Sequence, residues 1–264
     1  MLLLKSLIYS LNNIIGFIKS IRKRIDWKLN VSFDKKTGFY RYKRKKGFIY
    51  IRYPRHYLDN ISNEWLCNNL YYYYYMPTNN NTVVDLGTGY GEEALYLHDQ
   101  SPNLNFYGVE IQPVIFECLA NTLNSIGNNF KAISTAINNG DAIKLCSQLS
   151  YFTVGDNQEN GYIDIPTVTW KDFLQKNNIN NVDLLKMNIE GGEKQFLESI
   201  DDFSSIRHMI ISCHDFRANS GHGEFYRTKD KVLSILRDNK FELKFFNHDE
   251  DWAKDWVFAK NTIT

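Results

Sequence analysis

From Thr82 onward, apolar runs of the chain alternate with segments that have the pattern of amphipathic helices. The apolar runs lie within TVVDLG, NFYGVEI, FKAISTAI, VDLLKMNIE and IRHMIISCHDF. This alternation predicts an α/β fold with a mostly parallel sheet that helices cover on both faces. Near the end, FELKFF and DWVFAKN predict an antiparallel pair of strands. Ligands of such sheets bind beyond the carboxyl ends of the strands, so polar residues at those ends are the candidates for function.

The first of these strands ends in a glycine-rich turn that also opens a helix. Glycine permits positive φ and lets a ligand approach bare backbone. Dinucleotide-binding turns have the spacing G-x-G-x-x-G and hold a pyrophosphate, whereas this turn has G-x-G-x-G with acids before and after it. These acids, Asp85, Glu92 and Glu93, favour a ligand with positive charge, such as the sulfonium of S-adenosylmethionine (SAM). The predicted cofactor-binding residues of the turn are Asp85, Gly87, Thr88, Gly89, Tyr90 and Gly91.

The second strand ends in an acid, Glu110, which lies 21 residues after Gly89. A carboxylate at about this distance commonly accepts hydrogen bonds from ribose hydroxyls. Because SAM and nicotinamide dinucleotides both carry an adenosine ribose, Glu110 indicates a nucleoside cofactor without choosing between them. Glu110 and the neighbouring Ile111 complete the predicted cofactor site.

Four segments together resemble the FkbM-type methyltransferases: VVDLGTGYG, FYGVEIQP, LANTLN and VDLLKMNIEGGEKQFLESI. The resemblance covers about Asn81 to Asp215, and its most specific part is the block from Lys186 to Glu193. Family members often carry K-x-D-x-E-G-x-E, and this chain has Asn188 where many have Asp. The resemblance implies a Rossmann-like class I methyltransferase fold, with a mostly parallel seven-stranded sheet, a C-terminal antiparallel strand and SAM as the cofactor.

Candidate catalytic residues lie where the fourth and fifth strands of this domain end: Lys186, Asn188, Glu190, His214 and Asp215. His214 is the preferred general base because histidine titrates near neutral pH, with Asp215 or Glu190 to orient it. Glu193 is expected to lie in the first turn of a helix, where the helix dipole favours a carboxylate. A divalent cation held by Asn188, Glu190 and Asp215 is conceivable but not favoured, and no metal ligands are assigned.

The segment FRANSGHGEFYRTKD, residues 216–230, is polar and contains glycines. It predicts a substrate lid with Arg217, His222 and Tyr226 facing the acceptor. Thr228 is the expected N-cap of the helix that follows. Trp252 and Trp256 are either sugar-stacking residues at the border of the pocket or parts of a packed hairpin.

The part of the chain that precedes the glycine turn is strongly basic. Up to Arg55 it has fifteen Lys and Arg against two Asp, a net charge of +13, and the remaining sixteen bases and twenty-eight acids give −12. Residues 1–30 predict a basic amphipathic helix that lies on a membrane or packs on its own domain or a second subunit. Residues 31–76 predict a β-hairpin or meander followed by a helix at Asn60–Tyr75, and residues 77–264 form the catalytic domain. Nucleic acid is not favoured as a partner.

The sequence thus predicts a SAM-dependent enzyme that methylates a hydroxyl of a sugar, glycan or other small metabolite. The alternatives are a nicotinamide-dependent oxidoreductase or epimerase, and a non-catalytic membrane or nucleic-acid adaptor. Cys67, Cys118, Cys146 and Cys213 form no CxxC motif and are expected to be free thiols in a reducing compartment. The predicted location is the cytoplasm, with peripheral contact to a membrane through residues 1–30 as an option. No oligomeric state is predicted.

Overall fold

The computed structural model describes residues 21, 24–25, 27–53, 64–140, 143–146, 162–165 and 167–263. No helix within these residues combines the length and hydropathy needed to cross a bilayer. Most of the predicted amphipathic helix, including all of residues 1–20, lies outside the described residues.

Fourteen strands lie in the described part of the chain: β1 (Val31–Asp34), β2 (Phe39–Lys43), β3 (Phe48–Ile51), β4 (Thr82–Leu86), β5 (Asn105–Val109), β6 (Phe130–Ile133), β7 (Ala136–Ile137), β8 (Ile143–Cys146), β9 (Tyr162–Ile165), β10 (Thr167–Val168), β11 (Leu184–Met187), β12 (His208–Ser212), β13 (Phe241–Phe245) and β14 (Trp256–Asn261). The largest sheet has seven strands in the order β13-β14-β12-β11-β4-β5-β6. Its strands β12, β11, β4, β5 and β6 pair in parallel, and β14 runs antiparallel to both of its neighbours. The predicted seven-stranded, mostly parallel sheet with a C-terminal antiparallel strand is confirmed.

Residues 21, 24–25 and 27–30, before β1, are helical. The helices that follow β3 are α1 (Glu64–Leu66), α2 (Glu92–Gln100), α3 (Pro113–Asn124), α4 (Trp170–Lys176), α5 (Glu193–Glu198), α6 (Asp215–Asn219), α7 (Lys229–Asp238) and α8 (Asp251–Lys254), with a π-helical segment at Cys67–Tyr71 and a 3-10 turn at Glu224–Tyr226. The start of α3 follows its sequence, because Pro113 occupies the first turn and the Gln112 side chain accepts a hydrogen bond from the Ile115 backbone N–H. The sequence predicts one helix over Asn60–Tyr75, but within the described residues the helical conformation ends at Tyr71.

Apolar side chains cover both faces of the seven-stranded sheet and form two core clusters. One contains Val84, Leu185 and Met187 with the helix residue Phe196, and the other contains Val83, Leu184 and Phe106. Alternate residues of a strand point to opposite faces, so strands that are apolar throughout, such as β11, are buried on both sides. From β4 the chain adds β5 and β6 on one side of the sheet, and it later adds β11 and β12 on the other side. The strand order therefore switches between β4 and β11, and the crevice at such a switch point is the expected ligand site.

One predicted strand is divided in the structure. The run FKAISTAI has the pattern of a single strand, but β6 ends at Ile133 and β7 begins at Ala136. β7 pairs in parallel with β10 instead of continuing in the large sheet. The chain therefore bends at Ser134 and Thr135, beside the glycine turn.

Strands β1, β2 and β3 form an antiparallel meander that packs on α3. The Tyr50 N–H donates to Thr122 Oγ1 at 3.0 Å, and the Phe48 N–H donates to Ser125 Oγ at 2.9 Å. Tyr42, Ile49 and Ile51 form a small core with Leu95. Tyr90, from the glycine turn, packs against the same cluster, so the basic N-terminal sheet supports one side of that turn.

Candidate active site

The glycine turn after β4 is held close to the neighbouring strand ends by backbone hydrogen bonds. The N–H groups of Gly87 and Thr88 both donate to the Val109 carbonyl, at 3.0 and 3.2 Å. Gly87 has φ +77°, and a Cβ built on it would lie 2.1 Å from the Asn188 carbonyl oxygen. Only glycine fits where these backbones approach so closely.

Glu110 braces the open part of the turn. Its Oε2 accepts a hydrogen bond from the Gly89 N–H at 3.1 Å, and its Oε1 accepts one from the Gln112 N–H at 2.9 Å. Burial raises the pKa of this carboxyl, although both hydrogen bonds oppose the increase. Gly89 has φ +63°, and a Cβ there would meet nothing closer than Glu92 Oε2 at 3.9 Å. Gly89 therefore presents bare backbone to open space beside a buried carboxylate.

A cavity of about 690 Å³ lies against this turn, at the carboxyl ends of β4, β5 and β11. Its walls include the apolar residues Ile111, Ala136 and Ile137 and the amides of Asn138, Asn188 and Gln195. Three carboxylates line it, those of Glu110, Glu190 and Glu198, and the described residues contribute no Lys, Arg or His to its lining. The lining therefore favours a neutral or cationic ligand over a pyrophosphate, although Glu190 and Glu198 are each paired with a cation that lies outside the lining.

Asp85 does not line this cavity, although its place in the motif predicted contact with the cofactor. It lies directly opposite Lys186 in the register of β4 and β11, and the Lys186 Nζ is 3.0 Å from Asp85 Oδ1. Both side chains are buried, and the ammonium group lies 5.2 Å from the centre of the Tyr71 ring. Burial raises the pKa of Asp85 to about 7, and the Asp85 carboxylate raises the pKa of Lys186 against the effect of burial. The two residues form an internal ion pair on the face of the sheet.

His214, the predicted base, is buried between two carboxylates instead of facing the cavity. Its Nδ1 lies 3.0 Å from Glu193 Oε1, and its Nε2 lies 3.5 Å from Glu190 Oε2. Burial lowers the pKa of the imidazole, but the contacts with Glu190 and Glu193 outweigh burial and raise the pKa to about 9. His214 is therefore a cation at neutral pH, and both of its ring nitrogens are engaged.

Glu193 and Glu190 have different surroundings within this cluster. Glu193 is fully buried and accepts hydrogen bonds from the backbone N–H groups of Ile189 and Gly191, each at 3.2 Å. Glu190 lines the cavity, and its Oε2 lies 2.8 Å from an Arg217 guanidinium nitrogen. Burial raises the pKa of Glu190, but His214 and Arg217 together bring it below the ordinary value.

The elevated pKa of His214 predicts a pH dependence of stability. The folded-state pKa of about 9 lies above the ordinary value of 6.5, so the stabilisation is complete below pH 6.5 and is lost as the pH rises through 9. We expect the free energy of unfolding to fall by up to about 3 kcal/mol over this window. Urea denaturation at a series of pH values measures it, and His214→Gln should flatten the profile above pH 7. An identical slope in the variant would assign the effect to another group.

Asp215 has a structural contact that its sequence position did not reveal. Its Oδ1 accepts hydrogen bonds from the N–H groups of Thr228 and Lys229, both at 2.9 Å. Asp215 thus caps α7, whereas the Thr228 side chain, the predicted cap, donates to the Cys213 carbonyl.

Within the described residues, no group of three or more His, Cys, Asp and Glu side chains is arranged to hold a metal ion. Of the oxygens proposed for a cation, Glu190 Oε2 contacts Arg217 and His214, and Asp215 Oδ1 caps α7.

The thirteen predicted site residues divide into two groups. The cavity is lined by Gly87, Gly89, Tyr90, Glu110, Ile111, Asn188 and Glu190. The residues that do not line it are Asp85, Thr88, Gly91, Lys186, His214 and Asp215. Thr88 Oγ1 donates to the Asp85 carbonyl at 2.7 Å, and a Cβ on Gly91 would lie 3.0 Å from Leu119. These two positions are constrained by the packing of the turn.

The predicted lid contributes a residue other than the three expected. Phe225 lines the cavity, and it lies over the turn at Gly191, where a Cβ would come within 2.5 Å of its ring. His222 is exposed, Tyr226 is buried, and the Arg217 guanidinium stacks 5.4 Å from the Tyr226 ring centre. Trp256 packs on Tyr71 at 4.8 Å, so it belongs to the core and not to the pocket.

Two further groups of lining residues were missed by the sequence reasoning. One follows the bend after β6, at Thr135 and Asn138–Asn139, and the other is on α5, at Gln195, Glu198 and Ser199. The bend could have been found from Ser134 and Thr135, which interrupt an apolar run at the end of a strand. The α5 residues have no local pattern that separates them from an ordinary solvent-facing helix surface.

Comparisons with known proteins agree with this geometry. Residues 85–243, more than half of the chain, match the model of the methyltransferase FkbM domain. None of the curated protein sequences gives a significant match.

The solved structures that match this chain include two methyltransferases and a fibrillarin. A SAM-dependent methyltransferase from Aquifex aeolicus is 14% identical, with 76% of this chain and 94% of that chain covered and a TM-score of 0.42. Aeropyrum pernix fibrillarin with natively bound SAM is 16% identical, with 70% and 68% covered and a TM-score of 0.40. A precorrin-6y C5,15-methyltransferase from Geobacter metallireducens is 8% identical, with 70% and 82% covered and a TM-score of 0.40.

The family assignment rests on the sequence match, and the strand order and the position of the cavity are those expected of it. The chain belongs to the FkbM family of SAM-dependent methyltransferases and has the Rossmann-like class I methyltransferase fold.

Proposed function

We propose that this protein transfers the methyl group of SAM to a hydroxyl of a sugar, glycan or other small polyhydroxylated metabolite. The observation that carries the proposal is the cavity at the glycine turn, which Glu110, Glu190 and Glu198 line without a described Lys, Arg or His. SAM is cationic at its sulfur and its amino group, so this lining complements it. The same lining opposes the pyrophosphate that a nicotinamide-dependent enzyme would have to bind.

The residues around the cavity fit the parts of SAM. The bare backbone at Gly87 and Gly89 allows close approach, and Glu110 has lone pairs left to accept ribose hydroxyls after its two backbone hydrogen bonds. Ile111, Ala136 and Ile137 offer an apolar surface to an adenine ring. The volume of about 690 Å³ lies within the usual range of small-molecule and cofactor pockets, and the reaction requires that part of a second molecule enters as well.

The second molecule is the methyl acceptor, and the side chains beyond the glycine turn are suited to an uncharged polar one. Asn188, Gln195 and Ser199 offer amide and hydroxyl groups, which can exchange hydrogen bonds with hydroxyls. When bound, SAM would supply an electrophilic methyl carbon: the acceptor oxygen would form its bond to that carbon as the carbon–sulfur bond breaks, and S-adenosylhomocysteine would leave. The chain's own contribution is to hold that oxygen in line and to accept its proton.

We assign proton acceptance to Glu190 in place of His214. Glu190 lines the cavity with a quarter of its side chain exposed, and its Oε2 lies within ion-pair distance of Arg217, at 2.8 Å, and of His214, at 3.5 Å. This leaves Oε1 as the oxygen that can face the acceptor. A carboxylate with a lowered pKa suffices, because the hydroxyl proton becomes strongly acidic as the oxygen gains its third bond. His214 orients Glu190, which reverses the order of roles that the sequence predicted.

Calorimetry tests the cofactor assignment directly. We expect SAM and S-adenosylhomocysteine to bind and NADH not to bind to the purified chain. Tight NADH binding without SAM binding would contradict the proposal. Incubation with SAM labelled in its methyl group and fractions of sugars, glycans and small metabolites then identifies the acceptor, and label on nitrogen or carbon would exclude the hydroxyl.

Gly89→Ala tests whether the bare backbone of the turn is the binding surface. A methyl group there meets no protein atom closer than 3.9 Å, so the fold should lose only the roughly 1 kcal/mol that alanine costs at positive φ. We expect the affinity for SAM to fall at least about 10-fold, because the methyl group occupies ligand space.

The control is Gly38→Ala. Gly38 also has a positive φ, +76°, and a Cβ added to it would have no atom within 4 Å, but it lies in the turn between β1 and β2. Calorimetry should find unchanged SAM affinity for Gly38→Ala, with a similar small loss of stability. Equal affinities in the two variants would remove Gly89 from the site.

A further inference from the structure

We infer that the N-terminal end of the chain forms a docking surface for anionic lipid headgroups at a membrane. The inference does not depend on the methylation reaction. It starts from the helical residues that precede β1, of which residues 21, 24–25 and 27–30 are described. Ile21, Ile25 and Leu29 are spaced four residues apart, so they share one face of a helix.

This apolar face is open to solvent. The side chains of Ile21, Ile25 and Leu29 are 42%, 53% and 77% exposed. The described part of the stripe therefore does not pack on its own domain, which was one of the three explanations that its sequence pattern left open. Arg24 and Lys28, interleaved with the stripe, are exposed as well.

The strand register brings a second basic group to the same place. Val31, the first residue of β1, pairs with Tyr42, and Lys43 pairs with Phe48 at the far end of β2. The turn at residues 44–47 therefore lies at the end of the sheet from which residues 27–30 emerge. Lys43, Lys45 and Lys46 are exposed there, while Arg44 is 3.8 Å from Glu64.

Apart from the contact between Arg44 and Glu64, no ion pair within the described residues joins an acidic side chain to the exposed bases of this region. Asp34 is the acid of β1, and its carboxylate accepts hydrogen bonds from the Tyr50 hydroxyl and the Lys36 backbone N–H and pairs with Arg41. The lipid-docking surface thus consists of the exposed apolar residues Ile21, Ile25 and Leu29 and the exposed bases Arg24, Lys28, Lys43, Lys45 and Lys46.

This combination fits the interface of an anionic bilayer. Apolar side chains enter the headgroup region while surrounding Lys and Arg side chains contact acidic headgroups. A second copy of the chain would place this dense positive charge against itself, which is unfavourable. An anionic polymer would satisfy the bases but would leave the apolar face in water.

Vesicle flotation of the full chain tests the inference. We expect recovery with phosphatidylcholine vesicles that contain phosphatidylserine and little recovery with phosphatidylcholine alone. Binding should weaken in about 1 M NaCl, where charges are screened over about 3 Å. The triple variant Lys43→Gln, Lys45→Gln, Lys46→Gln should reduce the partition coefficient about 100-fold, since each surface base contributes about fivefold.

The matched charge control is Lys171→Gln, Lys176→Gln, Arg237→Gln, which removes three exposed bases from α4 and α7. For the apolar face, Ile25→Ser with Leu29→Ser should lower recovery, whereas Ile263→Ser, at a side chain 73% exposed elsewhere, should not. All substituted side chains are exposed, so the variants should fold.

Three results would overturn the inference. The first is equal recovery with and without phosphatidylserine. The second is a light-scattering mass that falls from dimer to monomer in Ile25→Ser, Leu29→Ser while vesicle recovery stays the same, which would assign the face to a second copy. The third is tighter binding of a single-stranded oligonucleotide than of the anionic vesicles, which would assign the surface to nucleic acid.

Discussion

Lys186→Met is expected to destabilise the folded protein by about 3–5 kcal/mol. The substitution keeps most of the volume of the side chain but removes the ammonium group that lies 3.0 Å from Asp85 Oδ1. Asp85 is buried, and its pKa is raised to about 7 even beside the ammonium group. Without that cation the carboxyl would have to take up a proton or remain charged and unpaired in the core, and either costs free energy. Urea denaturation followed by circular dichroism measures the loss, which is large compared with the total stability of a typical domain.

The double variant Asp85→Leu, Lys186→Met is the control. It replaces the ion pair with apolar side chains, and such replacements are often close to neutral. We therefore expect it to recover most of the stability that the single variant loses. The double variant also tests the role of Asp85. If it binds SAM as tightly as the unaltered protein, Asp85 has a structural role only. If it is stable but has lost SAM affinity, Asp85 is a cofactor contact. A double variant as unstable as Lys186→Met would contradict the ion-pair explanation.

Glu190→Gln is expected to reduce kcat by about 10²–10⁴-fold, the usual contribution of a general base. The amide is nearly the same size, so it preserves the lining of the cavity but cannot accept the acceptor's proton. The affinity for SAM should change by less than about fivefold, because the interaction is made in the transition state. The measurements are single-turnover transfer of labelled methyl to the acceptor found by the labelling experiment, and calorimetry with SAM.

Glu198→Gln is the matched control for this prediction. Glu198 also lines the cavity, but its carboxylate lies 3.3 Å from the exposed Lys231 ammonium and has no contact with His214 or Arg217. We expect its kcat to stay close to that of the unaltered protein. Unchanged kcat in Glu190→Gln would exclude Glu190 as the proton acceptor. A larger loss in His214→Gln than in Glu190→Gln would return that role to His214.

The elements of the fold were largely predictable because their patterns are local. Strands β4, β5, β11 and β12 are short apolar runs bounded by polar residues, and the helix at Pro113 has both a start and a stop marked in the sequence. The bend between β6 and β7 was missed although Ser134 and Thr135 interrupt the apolar run. The partner of β7 could not be found locally, because its pairing with β10 joins residues about 30 positions apart. The helix predicted over Asn60–Tyr75 was too long at its end, because the helical conformation stops at Tyr71. The ring of Tyr71 lies over the Lys186 ammonium group of the Asp85–Lys186 pair.

The functional residues show the same division between local and distant information. Gly87, Gly89 and Glu110 could be placed at the site from spacing alone, because the residues that end neighbouring parallel strands meet at one edge of the sheet. Glu190 and Asn188 were found in the same way. The face of the sheet to which a side chain points, however, depends on its exact position in the strand. Asp85 and Lys186 are paired in the register of β4 and β11 and face each other instead of the cavity.

The sequence by itself determined the mostly parallel sheet, the acidic and glycine-rich character of the cofactor turn, and membership of the FkbM family. These properties depend on residue types at short spacings, which the backbone geometry of strands and turns translates directly into position. Only the tertiary structure decided that Asp85 pairs with Lys186, that His214 lies between Glu190 and Glu193, and that Asp215 caps α7. The charge state and role of each such group are set by neighbours from distant strands, and no local pattern contains them.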